Sequence, residues 1–219
     1  MSRTLSLLAL LTLTACASGA ATEPPTAAAA PGDGGVYAAI ALSEGQAEAV
    51  FAGGCFWCME TAYEGVDGVI EVLSGYTGGA EDKPTYRQVA NHMTSHYEAV
   101  RVVYDPSKTD YAALLHIFWR NVDPTQANGQ FCDKGDQYRT AIFTSDASEI
   151  AAAESTRAAA AAELGESIVT EVLPGATFWV AEAYHQDFYK KNPTRYYSYR
   201  TGCGRDKRLE QLWGEAPAH

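Results

Sequence analysis

The chain has 219 residues, 47% of them hydrophobic and 20% charged. That is globular composition with enough length for one substantial core. The formal net charge is −11 with no visible basic patch, which excludes nucleic-acid binding through phosphate neutralisation and bears on solubility rather than fold.

The chain opens with Arg3 and a short apolar run from Leu5 to Leu13. The run is too short to cross a bilayer and reads as an export signal. Leu13-Thr14-Ala15-Cys16 resembles a bacterial lipoprotein processing site. Residues 1–16 are therefore expected to form a lipoprotein-type signal segment with Cys16 as the lipidated residue. Ordinary cleavage after Ala17 or Ala20 is the alternative. The expected location is the cell envelope, facing the periplasm on a lipid anchor. Residues 17–36 are almost wholly Ala, Pro, Thr and Gly, too poor in apolar surface to offset their ordering entropy. They predict a flexible tether over 17–43, with the folded domain over 44–219.

The apolar run Ala49-Val50-Phe51-Ala52 leads through Gly53-Gly54 to Cys55-Phe56-Trp57-Cys58-Met59-Glu60. Phe56, Met59 and Tyr63 have helical spacing, and Gly65 is placed as a stop. Cys55 then sits at a helix N-terminus, where unpaired N–H groups and the dipole favour an anion. A thiol there is expected to lose its proton easily and attack as thiolate. The alternative is a buried core thiol. Phe56 and Trp57 are expected to wall a small apolar pocket.

Val69 to Tyr76 and Tyr97 to Tyr104 read as strands, the first leading into Gly78-Gly79 and the second closed by Asp105-Pro106. Tyr111 to Val122 predicts a helix capped by Asp110. Thr140 to Thr144 predicts a strand. Asp146 with Glu149 resembles a capping box opening an Ala-rich helix that stops at Gly165. Ile168 to Leu173 and Thr177 to Val180 predict strands around Pro174-Gly175. Tyr184 to Lys191 predicts a short helix or turn ended by Pro193. Mixed elements without regular βα repetition point to α+β with a mixed or antiparallel sheet.

Glu98 shares a strand face with Val100 and Val102. A buried carboxyl there has a raised pKa and becomes a candidate proton donor; the alternative is a solvated strand edge. Tyr86, after Pro84-Thr85, and Tyr138, in the polar loop 133–139, are candidate hydrogen-bond donors. His185 and His96 are candidate bases or metal ligands, but the spacing of His92 and His96 falls in a predicted loop, so no metal is expected.

Several further stretches accompany Gly54-Cys55-Phe56-Trp57. They are Gly75-Tyr76-Thr77-Gly78-Gly79, Pro84-Thr85-Tyr86, His96-Tyr97-Glu98-Ala99-Val100, Val103-Tyr104-Asp105-Pro106, Phe118-Trp119, Asp123-Pro124-Thr125-Gln126, Gln137-Tyr138-Arg139 and Tyr184-His185-Gln186-Asp187. In this order, across residues 50 to about 193, they resemble the A-type peptide-methionine sulfoxide reductases. The resemblance implies a mixed β-sheet with a ferredoxin-like βαβ core and flanking helices. It implies that Cys55 attacks the sulfoxide sulfur and that Glu98, aided by Tyr86 and Tyr138, protonates the oxygen. Phe56 and Trp57 then hold the methyl group, and Asp133 joins the polar network. It further implies action on the S epimer of methionine sulfoxide in proteins, peptides or free methionine. Cys55 becomes a sulfenic acid and then a disulfide, reduced by an external dithiol such as a thioredoxin-like protein, with no other cofactor. Cys58 and Cys132 depart from the commonest family pattern. The resolving thiol is therefore open among Cys203, first by position in the family, Cys58, close by helical spacing, and Cys132. The rival readings are a general Cys-x-x-Cys thiol–disulfide oxidoreductase and a zinc-binding structural lipoprotein built on the four cysteines.

Overall fold

The computed structural model describes residues 37–39 and 41–214. The expected signal segment, Cys16 and residues 17–36 of the expected tether lie outside the described residues. In chain order the elements begin with β1 (Tyr37–Ala38), β2 (Ala47–Gly53), α1 (Phe56–Tyr63), β3 (Val69–Thr77), α2 (Tyr86–Ala90), β4 (Tyr97–Tyr104) and α3 (Tyr111–Arg120). They continue with β5 (Gly129–Gln130), β6 (Asp133–Lys134), a 3₁₀ turn Asp136–Tyr138, β7 (Thr140–Thr144), α4 (Ala147–Leu164), β8 (Glu171–Pro174) and β9 (Trp179–Val180). Three helices close the chain: α5 (Phe188–Lys191), α6 (Pro193–Gly202) and α7 (Arg205–Trp213).

Seven strands form one sheet in the order β1-β9-β3-β4-β2-β7-β8, and β5 pairs with β6 as a separate ribbon. Every pairing is antiparallel except β7 with β8. The inner order β3-β4-β2-β7, joined by the split units β2–α1–β3 and β4–α3–β7, is the ferredoxin-like arrangement the sequence implied. β4 sits between β3 and β2 and is buried along its whole length. Val100, Val102 and Tyr104 pack with α1, α3 and α4 in the main core, while Tyr97 and Ala99 pack with Phe143 and Phe178 on the opposite face. Phe51 of β2 anchors the main core, its ring 5.4 Å from Tyr63 and 5.3 Å from Phe118.

The strong local signals hold: β4, β7 and α4 have the expected bounds, and Gly165 ends α4 at φ 65°. Three details differ. Residues 37–38, assigned to the tether, pair with β9, because the outer edge of β9 offers ladder partners that composition cannot reveal. Glu149 accepts from the Ser145 N–H (2.7 Å), one residue before the Asp146 cap, so the capping is not a reciprocal box. The short helix expected over 184–191 does stop at Lys191, but Pro193 then opens α6 in its first turn, since that position needs no N–H.

The turn between β2 and α1 is set by backbone geometry. Gly54 has φ +82°, and a Cβ there would lie 2.5 Å from the Gln130 Cβ. Gln130 in turn accepts from the Asp123 N–H (2.8 Å) and donates to the Asp123 carbonyl (2.7 Å). Gly54→Ala should therefore destabilise the fold by about 1–3 kcal/mol, from the left-handed backbone alone, with added loss from the clash. Urea unfolding measures this, and an unchanged midpoint would show that the turn relaxes freely.

Candidate active site

Cys55 is the N-cap of α1, at the carboxyl end of β2. Its carbonyl accepts the first helical bonds, from the N–H groups of Cys58 (3.1 Å) and Met59 (3.3 Å). The Phe56 N–H, next in line, donates to Glu98 Oε2 at 3.1 Å. A helix donor that was expected to favour a thiolate is thus spent on the carboxyl group. Burial pushes the Cys55 thiol well above the ordinary range, and Cys58, Glu98 and Asp133 reinforce the shift. Burial thus works against the easy ionisation expected of Cys55 at the helix mouth. Cys58, 1% exposed, is instead held down at about 6. A hydrogen bond from Cys55 is the main cause, acting against burial, and the Arg205 and Arg200 charges assist. The two sulfurs are in hydrogen-bond contact.

Glu98 is 2% exposed, on the buried face of β4, not at a solvated edge. Burial pushes its carboxyl up to about 8, against the opposing pull of the Phe56 N–H and Tyr138 hydrogen bonds. The acid is therefore largely protonated at neutral pH. Tyr138 and Tyr86 face it, and burial raises both phenols, Tyr86 to about 12. They remain hydrogen-bond donors throughout the physiological range.

These groups line one pocket of about 270 Å³, part of it open to solvent. Phe56 and Trp57 supply its apolar wall, and Cys55, Glu98, Tyr86, Tyr138 and Asp133 its polar side. Trp57 is fixed from behind: its ring stacks on Phe188 at 3.7 Å, and its indole N–H donates to His185 Nδ1 at 3.1 Å. Burial holds His185 down at about 4, so the ring is neutral, with its proton assigned to Nε2 by this contact. His185 braces the wall. His96 is also occupied: its Nδ1 accepts from the Gly79 N–H (3.2 Å) and its Nε2 meets the Glu81 carbonyl (2.7 Å).

Tyr199 of α6 completes the pocket and was missed by sequence reading. Its hydroxyl donates to Asp133, whose carboxyl burial raises above the usual range. The signal was the spacing of Tyr196, Tyr199 and Cys203 along one helical face. Glu60, one turn beyond Phe56, is a second buried acid. Its Oε1 accepts from the Asp187 N–H (3.0 Å), Oε2 has no partner among the described residues, and burial pushes it up to about 8.

The four cysteines of the domain fall into two pairs. Cys55 and Cys58 are free and buried, and Cys132 is bonded to Cys203. Cys132 is exposed and Cys203 half-buried. The zinc reading fails on this split. The one Cys-containing ligand cluster among the described residues is Cys132, Asp133 and Cys203, and its two thiols are already joined.

Residues 47–217 match the family model described as peptide methionine sulfoxide reductase. The chain is 54% identical over 166 residues to peptide methionine sulfoxide reductase MsrA 2 of Caulobacter vibrioides, covering 76% of this chain and 85% of that one. It is 45% identical over 175 residues to MsrA of Bacillus subtilis, covering 79% and 99%. Among solved structures it resembles methionine sulfoxide reductase A of Corynebacterium diphtheriae, with TM-score 0.63, 32% identity and coverage of 69% and 77%. Reduced Mxr1 of Saccharomyces cerevisiae gives 0.64, 31%, and coverage of 68% and 86%. With a cysteine at a helix mouth, a buried carboxyl on the same pocket and an aromatic wall beside them, the chain belongs to the A-type peptide methionine sulfoxide reductases, and it reduces methionine sulfoxide.

Proposed function

We propose that the pocket takes the S epimer of methionine sulfoxide, free or in a polypeptide, and reduces it through Cys55. The observation that carries this reading is the joint placement of the Cys55 thiol and the neutral Glu98 carboxyl on one small pocket walled by Phe56 and Trp57. The methyl group lies against the aromatic wall, and the sulfoxide oxygen faces Glu98, Tyr86 and Tyr138.

As Cys55 attacks sulfur, its proton passes to the Cys58 thiolate. Glu98 gives its own proton to the sulfoxide oxygen. The oxygen ends on Cys55 as sulfenic acid, and methionine leaves. Cys58, in contact with Cys55, then attacks that sulfur, water departs, and a Cys55–Cys58 disulfide remains. Cys203, the first choice by family position, is bonded to Cys132 in this structure, so Cys58 is the better-placed resolver. The inner disulfide is buried, whereas Cys132 is exposed. The outer pair is then the port. A thioredoxin-like dithiol reduces Cys132–Cys203, and that dithiol reduces Cys55–Cys58 by exchange, returning to its own disulfide. The lipoprotein-like Leu13-Thr14-Ala15-Cys16 supports an envelope location on a lipid anchor at Cys16.

The rate of methionine release should follow a bell with limbs near 6, where the dithiol gains its charge, and near 8, where Glu98 loses its proton. Glu98→Gln should slow release by about 10² to 10⁴ and remove the alkaline limb. An unchanged single-turnover burst with the limb intact would exclude Glu98 as the donor.

Cys55→Ser should abolish turnover with dithiothreitol. Cys203→Ser should keep turnover with dithiothreitol and lose most of it with a protein dithiol. Full activity of Cys203→Ser with the protein dithiol, together with a Cys55–Cys58 bond found by mass spectrometry, would remove the outer pair from the cycle.

Radiolabelled fatty acid should enter the wild type in a bacterial host and be absent from Cys16→Ala. Equal labelling of both would place any anchor elsewhere.

A further inference from the structure

Arg205 opens α7 and is among the largest fully buried side chains of the protein, at 2% exposure. Its partners are all uncharged. One terminal nitrogen donates to the Gly53 carbonyl (3.2 Å), the Met59 sulfur (3.3 Å) and the Asn121 carbonyl (2.6 Å), and the guanidinium lies 4.5 Å over the Phe131 ring. Its Nε has no partner, and among the described residues no carboxylate bridges to it. The neighbouring Arg200 is different: Asp206 grips it through several bonds of 2.6–3.2 Å. Arg208 is likewise paired, with Asp123 at 2.7 Å. A buried arginine stays charged, and leaving that charge uncompensated costs several kcal/mol.

Gly53 and Met59 flank the turn that carries Cys55 and Cys58. Arg205 thus holds the backbone and side chain on either side of the Cys55–Cys58 segment. We propose that Arg205 is the counter-ion of the Cys55/Cys58 pair, a positioning residue that favours the thiolate over the thiol there. It rests on the reading of these cysteines as the reacting pair.

The other charged and titratable groups facing the pair are known. Glu98 of β4 and Asp133 of β6 repel its charge, and Arg200 of α6 attracts it from within its own ion pair. Tyr86 of α2, Tyr138 of the 3₁₀ turn and Tyr196 and Tyr199 of α6 also face it and stay neutral, their phenols raised. None of these supplies an uncompensated positive charge. Asp133 also feels Arg205, but it is raised by burial and already holds the Tyr199 hydroxyl.

The test is the pH dependence of thiolate absorbance and of alkylation, followed by mass spectrometry at Cys55 and Cys58. The full chain is used with the outer disulfide intact. The wild type should show a midpoint below that of an ordinary thiol. Arg205→Met, which keeps length and removes charge, should raise it by at least one pH unit, a tenfold loss of thiolate at pH values below the midpoint. Arg205→Lys should restore most of the shift. A folded Arg205→Met with the wild-type midpoint would overturn the proposal. So would a wild-type midpoint in the ordinary thiol range, a result that stands even if Arg205→Met does not fold. If Cys55→Ser is inactive while Arg205→Met leaves the midpoint unmoved, the counter-ion role fails and the catalytic reading survives.

Discussion

The bond from the Phe56 N–H to the Glu98 carboxyl joins the two halves of the site. It reaches from the first turn of α1 to the amino end of β4, forty-two residues away in sequence. For it to form, β2 must end where β4 begins, and Gly54 must turn the chain sharply between strand and helix. The sheet order supplies the first condition, because β2 lies directly beside β4 with Phe51 opposite Val100. The left-handed backbone at Gly54, pressed against Gln130, supplies the second. Without this bond the acid would be a desolvated carboxyl with one fewer partner, and the helix would start with an orphaned donor.

The same bond bears on the ionisation of the neighbouring dithiol. A helix N-terminus stabilises an anion through its free N–H groups, and here one of them already serves the acid. The buried arginines of α6 and α7 favour the charged form at Cys58. In the proposed mechanism the two proton-handling steps stay apart: Cys58 takes the proton of the attacking sulfur, and Glu98 gives one to the departing oxygen.

Local sequence patterns disclosed most of the scaffold. β4, β7 and α4 were legible because alternation, an aspartate cap and a terminal glycine each have a local physical cause. Cys55, Phe56, Trp57, Glu98, Tyr86, Asp133 and Tyr138 were named from sequence, and all seven line one pocket. What stayed hidden depends on distant partners. Tyr199 enters the pocket because α6 folds back onto Asp133, and no short window contains both residues. The charge distribution between Cys55 and Cys58 needed the burial of both sulfurs and the approach of Arg205 from 150 residues downstream. β1 formed because β9 had a free edge, which its own two residues cannot announce.

Glu98 and Glu60 together have a thermodynamic consequence. Each has a folded-state pKa of about 8 against an ordinary 4.5, so the folded protein binds protons that the unfolded chain has released. Folding is then coupled to proton uptake between roughly these two values. The stability tied to the two carboxyls is complete below about 4.5 and drains away as pH rises through about 8. The buried acid beside Cys55 thus ties the native state to proton activity: the loss accrues between about 4.5 and about 8 and levels off above that.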